Sequence, residues 1–190
     1  MTNLNETAQK LLDAAELLTK TRGFNAFSYK DLQREVGVKT STIHYYFASK
    51  TDLANSLTDR FLGRFEEAVI EIETKESSPK KRLRAMSSLF SNGEKSDEFC
   101  LCGMLASDIL SLSDQTSQNL RNFFELNEKW ISKTIKLGQA QGEFSESINH
   151  RNAAYQFLAA LEGGMLIARV KGDSKYIAKI VEESLRQFSH

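Results

Sequence analysis

An all-α fold is what this sequence predicts, and three observations carry the prediction. The 190 residues contain a single proline, Pro79. No run alternates β-branched residues as a strand would. Apolar residues instead recur three and four apart in segment after segment, the period of a helix with one buried face. Nine helices are expected, with no internal repeat and no low-complexity segment. A chain of this length buries ~70% of the surface that its unfolded form exposes.

Each helix has its own signature. From Leu4 to Thr21, one face carries Leu4, Ala8, Leu11, Leu12, Ala15 and Leu18, and Gly23 closes the segment. Ser28 begins the second as an N-cap, with Asp31 three residues on as the short acid of a capping box. Its inward residues are Tyr29, Leu32 and Val36, and Gly37 supplies the turn. Thr40 or Ser41 caps the third, whose buried stripe is Ile43 and Phe47. A long helix over 50–74 follows, with Leu53, Leu57, Phe61, Phe65, Val69 and Ile72 as its stripe. The break at Glu76-Ser77-Ser78-Pro79 places proline in the first turn of a helix over 79–90. The polar loop Ser91–Asp97 leads to helices over 98–110 and 114–141. Gly142 and polar residues then separate a helix over 149–171 from a last one over 174–188.

The second and third helices with their glycine turn form a helix-turn-helix over about 28–48. The third presents Lys39, Thr40, Ser41, Thr42, His44, Tyr45 and Tyr46 away from its stripe, and Lys50 follows where its ammonium would meet a phosphate. Hydroxyls, an imidazole, phenols and an ammonium suit hydrogen bonding to phosphates and base edges. With Ser28, these are the candidate DNA-binding residues. Net charge is zero, 25 basic against 25 acidic residues, so bulk charge says nothing for nucleic acid. Residues 1–50 carry seven Lys and Arg against five Asp and Glu, a small bias towards DNA at the amino end.

The stretch from Arg22 to Leu53 resembles the amino-terminal domain of the TetR family of transcriptional regulators. The resemblance rests on Arg22-Gly23-Phe24, Ser28, Asp31-Leu32, Val36-Gly37-Val38, Thr42-Ile43, Tyr46-Phe47, Ser49-Lys50 and Leu53. His44 stands where a tyrosine is most usual. The resemblance implies a three-helix DNA-binding domain over 1–49 and a helical effector-binding and dimerisation domain over 50–190. It implies a homodimeric repressor on a palindromic operator, released by a small molecule, with 53–72 connecting effector pocket to reading head.

Helix 149–171 is apolar on two sides, with Ala154, Leu158, Leu161, Met165 and Ala168 on one and Ala153, Phe157, Ala160, Gly164 and Ile167 on the other. Two apolar sides call for two partners, unless both helices simply fill their own core. The family pairs its last two helices into a four-helix bundle. The expected dimer residues are Leu158, Leu161, Gly164, Ile177, Ile180, Val181 and Leu185.

For the effector, the candidate wall is Met86, Phe90, Cys100, Cys102, Met104, Phe123, Phe124, Asn127, Trp130, Phe157, Glu162 and Met165, aromatic and apolar with a few polar groups. The same residues would also serve as the core of any helical bundle. Cys100 and Cys102, two apart in a helix, cannot easily bridge each other. They are either small buried hydrophobes or a thiol sensor of electrophiles. His44, His150 and His190 show no ligand spacing, so neither metal nor cofactor is expected. No Ser-His-Asp array or phosphate loop suggests an enzyme. A helical adaptor that binds protein is the remaining rival. The amino terminus has no signal-peptide pattern, no apolar run approaches 18 residues, and two cysteines suit a reducing compartment, so the cytoplasm is expected.

Overall fold

The computed structural model describes residues 5–90 and 98–189, so the expected loop over 91–97, Leu4 and His190 lie outside the described residues. Nine α-helices and no strand occur among the described residues. They are α1 (Glu6–Arg22), α2 (Tyr29–Val36), α3 (Thr40–Tyr46), α4 (Lys50–Lys75), α5 (Pro79–Ser88), α6 (Leu101–Ser107), α7 (Asp114–Ala140), α8 (His150–Lys171) and α9 (Tyr176–Phe188). Two 3-10 turns, Phe24–Ala26 and Ile109–Ser111, lie between them.

The helices divide into two compact units. One is Met1–Arg64 with Glu98–Arg121, and the other is Phe65–Asp97 with Asn122–His190. The first unit therefore gathers more of the chain than the 1–49 expected for a reading domain. Helices α4 and α7 each pass from one unit into the other.

In the first unit α1 packs on α2 and α6, and α2 packs on α3. Leu11, Leu12, Leu32, Ile43, Leu53, Leu57, Leu101 and Leu105 are all fully buried there. At ~25 cal/mol per Å2 of apolar area, each such leucine or isoleucine contributes about 2 kcal/mol. Polar groups join the helices as well. Asn55 Oδ1 on α4 accepts from Ser113 Oγ at 2.8 Å and Thr116 Oγ1 at 2.6 Å. Asn119 Nδ2 on α7 donates to Thr58 Oγ1 at 3.0 Å and Asp59 Oδ1 at 2.6 Å. These bonds are why the first turns of α7 belong to this unit.

The expected helix over 98–110 is shorter. Cys100 is extended at φ −56°, ψ 128°, and α6 starts only after it. At the other end Asp108 N–H reaches back three residues to Leu105 O at 3.0 Å. That shorter reach tightens the chain into the 3-10 turn.

In the second unit α9 packs on α8 and α5. Gly164 allows the close approach of α8 and α9: a Cβ there would lie 2.5 Å from Ile180 Cδ1 and 2.9 Å from Ile177 Cδ1. Ser78 caps α5 by accepting from Lys81 N–H, with Pro79 in its first turn as the sequence predicts.

Candidate nucleic-acid interface

The second and fourth helices are held by caps that the local sequence encodes. The carboxylate of Asp31 accepts from Ser28 N–H at 2.8 Å and Ser28 Oγ–H at 2.7 Å. These bonds, with the nearby Arg34, lower its pKa to about 2. Gly37 ends α2 in the left-handed region at φ 74°, ψ 23°, which a residue with a Cβ adopts at a cost. Asp52 repeats the motif ahead of α4, accepting from Ser49 N–H at 2.9 Å and Ser49 Oγ–H at 2.7 Å.

Helix α3 seats itself on Ile43, fully buried, and on Phe47, 2% exposed. Tyr29 fixes its end by donating its hydroxyl to Phe47 O at 2.9 Å. Burial and the carboxylate of Asp52 push that phenol up to about 12, so it stays a donor. The N-cap of α3 is Lys39, with no side-chain cap, rather than Thr40 or Ser41. The Thr40 hydroxyl donates instead to Gln33 Oε1 on α2.

The outward residues are unequally free. Tyr45 is 81% exposed. Lys39 and Ser41 are exposed and Thr42 half-buried. His44 is exposed but held: Nδ1 lies 3.0 Å from Ala48 O, and the ring packs edge-on against Tyr29 at 4.9 Å. A carbonyl only accepts, so Nδ1 carries the proton in this contact. Tyr46 accepts from Asn5 Nδ2, and its ring meets Tyr45 edge-on at 5.0 Å. Among the candidates, Lys39, Ser41 and Tyr45 are thus exposed and Thr42 half-exposed, while Thr40, His44 and Tyr46 are engaged by neighbouring groups.

Lys50 departs from expectation. Its ammonium donates to Phe24 O at 2.5 Å and Phe27 O at 2.7 Å and lies 4.4 Å from the centroid of each ring. Burial lowers its pKa. Two of its three donors are committed to the protein, so Lys50 first clamps the Phe24–Ala26 turn to the start of α4. Ser28 likewise serves Asp31 through its N–H and hydroxyl. Asn5, Tyr29 and Gln33 were not among the candidates, yet they brace the reading helix. Asn5 was legible: it caps α1 by accepting from Thr7 N–H at 2.8 Å, and an asparagine before Glu6 is an N-cap signal.

The other candidates fall as follows. Cys100, Cys102 and Met104 belong to the first unit, and Met86, Phe90, Phe123, Phe124, Asn127, Trp130, Phe157, Glu162 and Met165 to the second. Neither cysteine is in a disulfide, and Cys100 at 7% and Cys102 at 3% exposure are buried as small hydrophobes would be. Of the expected dimer residues, Leu158, Leu161, Ile177, Val181 and Leu185 are buried within the protomer, and Gly164 lies against Ile177 and Ile180. The large apolar residues that α8 leaves exposed are Tyr155 at 51%, Leu166 at 55%, Ile167 at 43% and Val170 at 88%. The other side of α8 is occupied by α9. No group of three or more metal-ligating side chains occurs among the described residues, and none of their helices is long and apolar enough to cross a membrane.

Residues 11–57 match the model of bacterial regulatory proteins of the tetR family, and 79–183 match the tetracyclin repressor-like C-terminal domain. A TetR-family transcriptional regulator from Agrobacterium tumefaciens shares 30% identity and a TM-score of 0.90, over 97% of this chain and 98% of that one. A TetR transcriptional regulator from Legionella pneumophila shares 28% identity and a TM-score of 0.86, over 98% and 100%. An uncharacterised HTH-type transcriptional regulator of Lactococcus lactis is 23% identical over 90% of this chain and 87% of its own length. Two successive family models and a full-length structural match thus agree with the helix-turn-helix described above, and the chain belongs to the TetR family of transcriptional regulators.

Proposed function

We propose that this regulator is a cytoplasmic homodimeric repressor that binds a palindromic operator and is released by a small, largely apolar molecule. The observation that carries the dimer is the exposed stripe of Tyr155, Leu166, Ile167 and Val170 on α8. These residues repeat at helical spacing, and Gly163 on the same helix has open space within 4 Å of its Cβ position. Such a face is costly in water and fits the matching face of a second copy. Two copies of α3 would then reach successive major grooves, about 34 Å apart.

Reading falls to Ser41, Thr42, Tyr45 and Lys39, with Nε2 of His44 as an added acceptor and Thr40, Tyr46, Ser28 and Lys50 holding the frame. The effector site belongs to the second unit, among Met86, Phe90, Phe123, Asn127, Trp130, Phe157 and Met165. Burial of both thiols weighs against Cys100 or Cys102 as an electrophile sensor, because attack needs an accessible thiolate. Release follows if the effector favours a spacing of the two heads that fits the operator less well.

Selection of bound duplexes from a random pool at near-physiological salt tests this reading. Recovery of an inverted repeat is the expected result. Recovery of single half-sites, or of no sequence above background from folded protein, would refute the dimeric operator.

A further inference from the structure

In the second unit, Asn127 Oδ1 and Trp130 Nε1 are buried without a hydrogen-bond partner among the described residues. Asn127 is fully buried and Trp130 is 7% exposed. The amide of Asn127 is oriented, because its Nδ2 donates to Phe123 O at 2.8 Å. Its oxygen is therefore the end left over. Three residues apart on α7, the two side chains share one face, with Cβ atoms roughly 5–6 Å apart. Phe123, one turn earlier, continues that face and packs against Phe65 at 4.9 Å between centroids. Phe65 in turn meets Phe90 at 6.3 Å. An uncharged acceptor and an uncharged donor are thus carried on one face of α7, which continues to an aromatic cluster.

Buried polar atoms of this kind are almost always satisfied, and an unsatisfied one destabilises the fold that holds it. A leucine would fill the place of Asn127 without that cost. We propose that Asn127 and Trp130 are the polar contacts of the effector, and that the effector is a neutral molecule with a hydrogen-bond donor beside an acceptor, as in an amide or lactam. Its N–H donates to Asn127 Oδ1 and its carbonyl accepts from Trp130 Nε1. This inference rests on the effector reading above and specifies the ligand's chemistry.

Trp130 is the single tryptophan of the chain, so its indole N–H gives one resonance in a 15N-labelled sample. The full-length protein would be titrated with δ-valerolactam and with N-methyl-δ-valerolactam, in which the donor is blocked, up to about 100 mM, since so small a probe binds weakly. A saturable downfield shift of the indole proton is expected with the lactam. Its apparent affinity should exceed that of the N-methyl analogue by about fivefold, the share of one hydrogen bond. Asn127→Leu should abolish that preference while the melting temperature holds or rises. Equal response to both probes, or no response to either, overturns the proposal. A clear fall in the melting temperature of Asn127→Leu also overturns it, because Asn127 would then be satisfied by structural water. Operator affinity, measured in parallel, separates the two readings: an indole shift with unchanged operator affinity keeps the lactam site and refutes its role as effector site.

Discussion

At the scale of single residues, the amino-terminal unit separates side chains that face solvent from side chains that brace the helix-turn-helix. Tyr45 is 81% exposed and its hydroxyl makes no hydrogen bond among the described residues. Tyr45→Ala should therefore weaken operator binding by about tenfold or more, the worth of one base or phosphate contact, with stability inside the ±0.5 kcal/mol usual for a surface change. Gel-shift and melting measurements on one preparation check both halves. Lys50 should behave in the opposite way. Its ammonium serves two backbone carbonyls and two aromatic rings, so Lys50→Ala should cost about 2 kcal/mol of stability in denaturant unfolding. Asp31 gives a pH signature. Its folded pKa is about 2 against an ordinary 3.8, so its contribution is full above about pH 4 and is lost as pH falls through 2. A carboxyl NMR titration of Asp31 with a midpoint near 4 would contradict the capping box.

At the scale of elements, periodicity and caps in the sequence place most helices, and departures occur where long-range contacts outweigh them. The apolar stripe of α4 was legible, and Leu53, Leu57, Phe65 and Val69 are buried as it requires. The start of α3 was not, because the Thr40 hydroxyl finds Gln33 across the turn and leaves Lys39 as the cap. Gly164 is the element-scale test. A methyl there would meet Ile180 Cδ1 and Ile177 Cδ1 at 2.5 and 2.9 Å, so those side chains would have to shift. Gly164→Ala should destabilise the protein by about 1–3 kcal/mol despite alanine's better helix propensity. Chemical denaturation that shows a gain would mean that this contact yields easily.

At the scale of the whole molecule, two features concern assembly. The first unit draws in α6, which packs on α1, and the first turns of α7 through Asn55 and Asn119. The second unit leaves Leu166 and Val170 in solvent at 55% and 88% exposure. Leu166→Glu would put a charge on the proposed contact while α8 stays folded. The expected outcome is a monomer in sedimentation and an operator affinity lower by about 100-fold, as two linked heads become one. A dimer that survives this change would place the interface elsewhere.

The sequence by itself determined the all-α class, the helix-turn-helix with its two boundary signals at Ser28 and Gly37, the proline-led start of α5 and the polar outward face of α3. Those properties are local: capping, turn conformation and helical period depend on residues a few positions apart. Only the tertiary structure decided which side of α8 is covered by α9, that Lys50 turns inward, that both cysteines are buried, and that Asn127 Oδ1 and Trp130 Nε1 have no hydrogen-bond partner among the described residues. Each depends on what a distant segment brings alongside, and an apolar stripe reads the same whether its own chain or another covers it.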